Sequence, residues 1–142
     1  MTDEQENLGL EVMPTDSIDT SKYNGTKINI ARIFKDVRKT DYDEKGVYVQ
    51  GLQRDQHVVV METEKLGETE MGNPINVREN FNLKVNPKTG NLAYSTHPKS
   101  NTAKIFAKLD INQFEDAVGK EVLIVEKVSP TNPDRKWLGI QY

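Results

Sequence analysis

Apolar positions along this chain follow two different periods. From Lys27 to Arg38 they alternate as in a strand, with Ile28 and Ile30 on one face. Ile33 and Val37 then fall on the opposite parity, with Phe34 between them. Side chains of a strand alternate strictly, so a change of parity within one run implies an extra residue, a β-bulge. The pattern predicts a long, bent first strand. Val47, Val49 and Leu52 predict a second strand after the polar turn at 41–46, with Gly51 as a bulge. His57 to Thr63, carrying Val58, Val59, Val60 and Met61, predicts a third and more buried one. Residues 64–74 hold two glycines, a proline and three glutamates and predict a loop, after which Ile75 and Val77 open a short strand. Phe81, Leu83 and Val85 alternate up to Asn86-Pro87-Lys88-Thr89-Gly90-Asn91, a turn that reverses the chain into a strand from Leu92 to Ser95.

The period then lengthens. Ser100 or Asn101 caps a helix whose apolar set is Ala103, Ile105, Phe106, Ala107 and Leu109. Asn112 caps a second short turn through Val118, which Gly119 ends. Lys120 to Val128 and Lys136 to Tyr142 predict two closing strands, separated by a loop with two prolines. Residues 1–21 carry no sustained period. Their apolar content gathers at Leu8, Leu10, Val12 and Met13, and the segment is expected to be a flexible tail. One domain, 22–142, follows it.

Charge sharpens that division. The chain of 142 residues carries a net −3, but residues 1–21 hold six acids (Asp3, Glu4, Glu6, Glu11, Asp16 and Asp19) and no Lys or Arg. The remaining 19 basic and 16 acidic side chains give 22–142 a net +3. A mildly basic body behind an acidic arm points to a polyanionic partner, or to a protein partner for the arm; a solvating tail accounts for the same charges. The absence of cysteine excludes disulfides, thiolate metal sites and a cysteine nucleophile. No apolar run approaches a membrane span, and the start of the chain lacks the basic-then-apolar pattern of a signal peptide. A cytoplasmic location is expected, in a host cell's cytoplasm if the source is a virus.

Catalytic and metal motifs fail on inspection. His57 and His97 have no partner at metal-ligand spacing and read as surface histidines. Asp41, Asp43 and Gly46 echo a calcium loop, but Lys45 occupies a ligand position and Leu52 stands where a bidentate Glu is required. Gly119-Lys120 is not a phosphate loop, because Phe114 takes the place of its first glycine and Glu121 follows the lysine. Glu115 and Asp116 are adjacent on a helical turn and point in different directions. Asn24-Gly25-Thr26, a glycosylation acceptor in form, reads as a turn. No cofactor is expected, and an enzyme is the weakest of the functional readings.

The remaining candidate is a binding surface. Arg32, Lys35, Arg38 and Lys39 lie along the first strand, with Tyr48 and Arg54 on or near the second. Arg78, Lys84, Lys88 and Tyr94 surround the hairpin, and Lys136 with Trp137 opens the last strand. Basic groups that follow a backbone, interleaved with aromatic platforms, are what sequence-tolerant binding of single-stranded DNA or RNA requires. Tyr48, Tyr94 and Trp137 are the platform candidates, because a polar edge tolerates exposure. Phe34, Phe81, Phe106 and Phe114 are read as core.

Several antiparallel strands, one helical insertion and two final strands form the order of an OB-fold-like antiparallel β-barrel with a bulged first strand. Another α+β sheet fits the same order. Asn80-Phe81-Asn82-Leu83, the turn Pro87-Lys88-Thr89-Gly90 and Pro98-Lys99-Ser100 lead to the helix with Lys104-Ile105-Phe106-Ala107-Lys108-Leu109. Glu115-Asp116-Ala117-Val118-Gly119-Lys120-Glu121-Val122 and Trp137-Leu138-Gly139-Ile140 follow. On these residues the stretch from Phe81 to Tyr142, a little under half the chain, resembles small OB-fold proteins of phages and archaea that bind single-stranded DNA. The resemblance implies an OB barrel and a nucleic-acid groove formed by strands and loops. Bacterial single-strand binding proteins carry their acidic tail at the C-terminus, whereas this one is N-terminal. Two readings therefore stand: a non-enzymatic single-stranded nucleic-acid binder, and a structural or adaptor domain that uses the acidic tail.

Overall fold

The computed structural model describes residues 8–13 and 15–142. The protein is mainly β, built on one five-stranded antiparallel sheet. The first strand, β1 (Lys27–Thr40), runs 14 residues and lies at the centre. Its register against β2 (Arg54–Thr63) slips once: Ile30 lies opposite Thr63 and Arg32 opposite Glu62, so Ala31 is the extra residue. This is the bulge that the change of parity predicts. It lets one strand serve two neighbours, because Lys27–Asn29 pairs with β8 (Glu121–Val128) while Arg32–Thr40 pairs with β2. The remaining members are β5 (Arg78–Asn82) beside β2 and β9 (Lys136–Ile140) beside β8.

Two hairpins hang from this sheet. Gly67–Glu68 (β3) pairs with Pro74–Ile75 (β4) inside the stretch read as a loop, and Lys84–Val85 (β6) pairs with Leu92–Ala93 (β7) around the Asn86–Asn91 turn. The expected strand at 47–52 is absent; only an isolated bridge joins Tyr42 and Tyr48. The reason is local. Gly46, Gly51 and Gln53 take positive φ, which breaks an extended run. The Asp43 carboxylate accepts the Lys45 and Val47 backbone N–H groups, and Asp41 accepts that of Gln53. Those N–H groups are thereby taken from any ladder. Val47, Val49 and Leu52 are exposed accordingly.

A short helix, α1 (Thr20–Tyr23), precedes the sheet, and α2 (Asn101–Leu109) lies between β7 and β8. Ser100 caps α2 by accepting the Ala103 N–H at 3.1 Å. The turn after α2 is a 3₁₀ helix over Phe114–Ala117 whose cap residue is Gln113, with no side-chain cap, and not Asn112. Ile105, Phe106 and Leu109 face the sheet and pack on a core of Ile30, Met61, Phe81, Ile124 and Ile140. Phe106 and Phe114 meet edge-on at 4.9 Å, and Tyr142 packs on Phe81 at 5.8 Å.

The expected tail boundary at residue 21 falls inside α1. Residues 1–7 and 14 lie outside the described residues. From Asp16 onward the chain is fastened to the body: Asp16 accepts from Thr69 Oγ1 at 2.6 Å and Asn73 Nδ2 at 2.7 Å, and Thr20 donates to Glu126. Among the described residues no helix is long and apolar enough to cross a membrane.

Every main pairing is antiparallel, so the end strands β5 and β9 run in the same direction. They are joined through a side chain. Glu79 Oε1 accepts the Ile140 N–H and the Lys127 ammonium, both at 2.8 Å. Lys127 in turn lies 4.6 Å from the Tyr142 ring centre. Burial, and then the Glu79 charge, push the Tyr142 phenol above its ordinary pKa. The sheet is not closed into a barrel, and Gly139 makes the side-chain bridge possible, since a Cβ there would stand 2.5 Å from Glu79 Oε1 and 2.6 Å from Lys127 Cε. Both side chains can swing away, but only by giving up the bridge. Gly139→Ala is expected to lower stability by about 1–3 kcal/mol. Urea denaturation checks this, and an unchanged midpoint contradicts it.

Candidate functional site

The alternation of β1, β2 and β5 sorts their residues onto two faces. Val59, Met61 and Phe81 face the core. The opposite, outward face forms a grid whose rows follow from the register. Its first row is Arg32–Glu62–Arg78, the second Phe34–Val60–Asn80 and the third Asp36–Val58–Asn82, and in all three the central β2 residue is buried. Arg38 beside Gln56 makes the fourth, and Thr40 beside Arg54 the fifth. Lys84 continues the β5 column.

The first row is an ion cluster. Glu62 accepts from Arg32 Nε at 2.7 Å and NH2 at 3.4 Å, and from Arg78 Nε. These bonds, with that from Arg32 the largest contributor, hold the Glu62 carboxyl below its ordinary pKa against the opposing effect of burial. The cluster covers an aromatic ring: the Arg32 guanidinium carbon lies over Phe34, 4.3 Å from its centroid, and that of Arg78 lies 5.7 Å away. Both arginine side chains remain about half exposed, so their outer N–H groups face solvent.

Below these rows the face opens into a groove of about 530 Å³ walled by the β1–β2 loop. Arg38, Tyr42, Lys45, Gln56, Val58, Asn80, Asn82 and Lys84 line it. The loop is held open by Arg54, which donates to the carbonyls of Tyr42 at 2.6 Å and Asp43 at 3.2 Å. Among the described residues, the side chains of Arg38, Lys45 and Lys84 make no hydrogen bond or ion pair. The Asn80 Oδ1 is buried without a hydrogen-bond partner, an uncommon state for an amide oxygen.

Of the twelve candidate residues, five share this face: Arg32, Arg38, Arg54, Arg78 and Lys84. Lys35 and Lys39 have the other parity on β1, and Lys39 is paired with Asp55. Lys88 sits in the β6–β7 turn. The three aromatic platforms do not come together. Tyr48 meets Tyr42 edge-on in the β1–β2 loop, with centroids 5.6 Å apart. Tyr94 sits edge-on to Phe106 and Phe114, beside the helix. Trp137, with Lys136, lies on β9 and borders a second groove that also includes Arg78.

Phe34 is corrected in the other direction. It is half-buried on the outward face, not in the core with Phe81, Phe106 and Phe114. Its parity with Arg32, Asp36 and Arg38, opposite to Ile33 and Val37, carries that signal. Glu62, Asn80 and Asn82 were also missed as part of the surface, and the same period of two marks them. Among the described residues no group of three His, Asp or Glu is placed to hold a metal ion. The face offers cations, an aromatic ring and amides to a ligand that presents negative charge, flat rings and hydrogen-bonding edges. No family model, no curated protein and no solved structure matches the chain.

A carboxyl whose pKa is lowered by folding contributes stability that is complete above its unfolded value. That contribution is lost as pH falls through the lower folded value. For Glu62 the window lies below 4.5. Denaturant midpoints measured from pH 6 down to about pH 2 are expected to fall more steeply for the natural protein than for Glu62→Gln. Superimposable acid limbs contradict the ion cluster.

Proposed function

We propose that the outward face of β1, β2 and β5 binds single-stranded nucleic acid, DNA in the first instance, without carrying out chemistry on it. The observation that carries the proposal is the Phe34 ring close to the Arg32 and Arg78 guanidiniums, with unpartnered Arg38, Lys45 and Lys84 further along the same face. Phosphates are gripped by cations without regard to sequence, and bases stack on an aromatic ring whatever their identity. Asn82, exposed on the same face, supplies an amide for the edge of a base.

The fold reading behind this is an OB-like barrel left open along one seam. The sheet order β5-β2-β1-β8-β9, the bulged and shared β1, the helix placed before β8 and the approach of β5 to β9 through Glu79 all support it. On that reading the β1–β2 loop walls the binding groove and the β6–β7 hairpin is an elaboration.

A second reading, an adaptor that works through the N-terminal segment, is favoured by one observation. Leu8, Leu10, Val12 and Met13 stand 69%, 81%, 93% and 83% exposed. Such a short apolar run suits capture by a partner's groove.

Fluorescence anisotropy with labelled oligonucleotides separates the two. Binding is expected to prefer single over double strands and to weaken with salt, with log K falling by about 0.7 per log unit of salt for each phosphate engaged. Phe34→Ala is expected to cost about 1–3 kcal/mol. Arg38→Ala is expected to reduce the salt slope by about 0.7. No binding to DNA or RNA overturns the proposal and leaves the adaptor. Removing residues 1–15 is expected to tighten binding at low salt, because the acidic segment competes for a cationic face. Unchanged affinity denies the tail that role.

A further inference from the structure

We infer that the groove around Trp137 is a second nucleic-acid subsite, which takes the base and phosphate that follow those on the β1–β2–β5 face. This rests on the function proposed above and extends it around the edge of β5. The second groove has a volume of about 570 Å³ and shares one wall with the first face, the side chain of Arg78. That residue lies 5.7 Å from the Phe34 ring centre and lines the same groove as Trp137, so a strand that reaches Phe34 and runs past Arg78 enters the groove of the indole.

Trp137 is 43% exposed, unusual for the largest apolar ring in the chain when the core has room for four other aromatic rings. An indole offers a broad face for a base. Lys136 stands beside it, and its nearest carboxylate, on Glu126, is 3.8 Å away, too far for a hydrogen bond. Arg78 and Lys136 therefore both bring cations to the groove that the indole lines. The separation of the two platforms is held by the seam, since Glu79, next to Arg78, is bonded to Ile140 and Lys127. The segment Asp16–Ile18 also lines the groove, and Asp16 is held there by its bonds to Thr69 and Asn73, which spend its carboxylate on the protein.

A strand too short to pass Arg78 engages only the first face. Anisotropy with labelled oligo-dT of about 4 and about 12 nucleotides, the span of site sizes for one such domain, tests this. Trp137→Ala is expected to weaken the longer strand about tenfold and leave the shorter unchanged. Phe34→Ala is expected to weaken both. Lys136→Gln, a surface change that does not touch the packing of the indole, is expected to lower the salt slope by about 0.7 for the longer strand only. If Phe34→Ala weakens both strands while Trp137→Ala and Lys136→Gln change neither, the second subsite is overturned and the first face stands. If Trp137→Ala weakens both lengths equally, the indole acts on the whole domain and the inference falls. If the natural protein binds neither strand, the face itself is refuted, and the subsite with it.

Discussion

Glu79 is the side chain on which the shape of the sheet turns. Five antiparallel strands in a row leave two edges, and unpaired main chain at an edge invites pairing with another molecule. Here the two edge strands approach one another, and one carboxylate spans the gap by accepting from the Ile140 main chain and the Lys127 ammonium. A buried carboxylate is costly unless it is paired and its lone pairs are filled. A cation and an N–H on the same oxygen meet that need, and the missing Cβ of Gly139 lets them approach. The bridge fixes parity on β5: with Glu79 inward, Arg78, Asn80 and Asn82 must face out.

That outward set gathers cations on one face although the net charge is modest. The excess of +3 in 22–142 is spread over a surface on which Glu62 neutralises part of the Arg32 and Arg78 charge. What the carboxylate removes in charge it returns in placement, because the two guanidiniums are held beside Phe34 instead of moving freely. The unpaired cations lie further down the face, where they line the groove.

The elements were legible where one force decided them. The bulge at Ala31 followed from the switch of parity between Ile30 and Ile33, and α2 from its capping serine and apolar period. The strand expected at 47–52 failed because Val47, Val49 and Leu52 alternate as a strand does while Asp41 and Asp43 divert the backbone N–H groups. Side-chain competition of that kind leaves no trace in hydrophobic pattern. For the site, counting cations along β1 collected Lys35 and Lys39 with Arg32 and Arg38, although alternation separates them. Choosing platforms by polar character selected Tyr94, whose ring is edge-on to two phenylalanines, and passed over Phe34. The bond from Glu79 to Ile140 spans 61 positions, and no local pattern reveals it.

The central claim is that the grid on β1, β2 and β5 is the surface that meets a nucleic-acid strand. Titration of isotope-labelled protein with a short oligo-dT, followed by amide chemical shifts in NMR, tests it most directly. Shifts are expected to concentrate at residues 32–38, 58–62 and 78–84 and in the loop 41–53, with α2 unmoved. Shifts confined to α2 or to the N-terminal segment, or no shifts at all, contradict it.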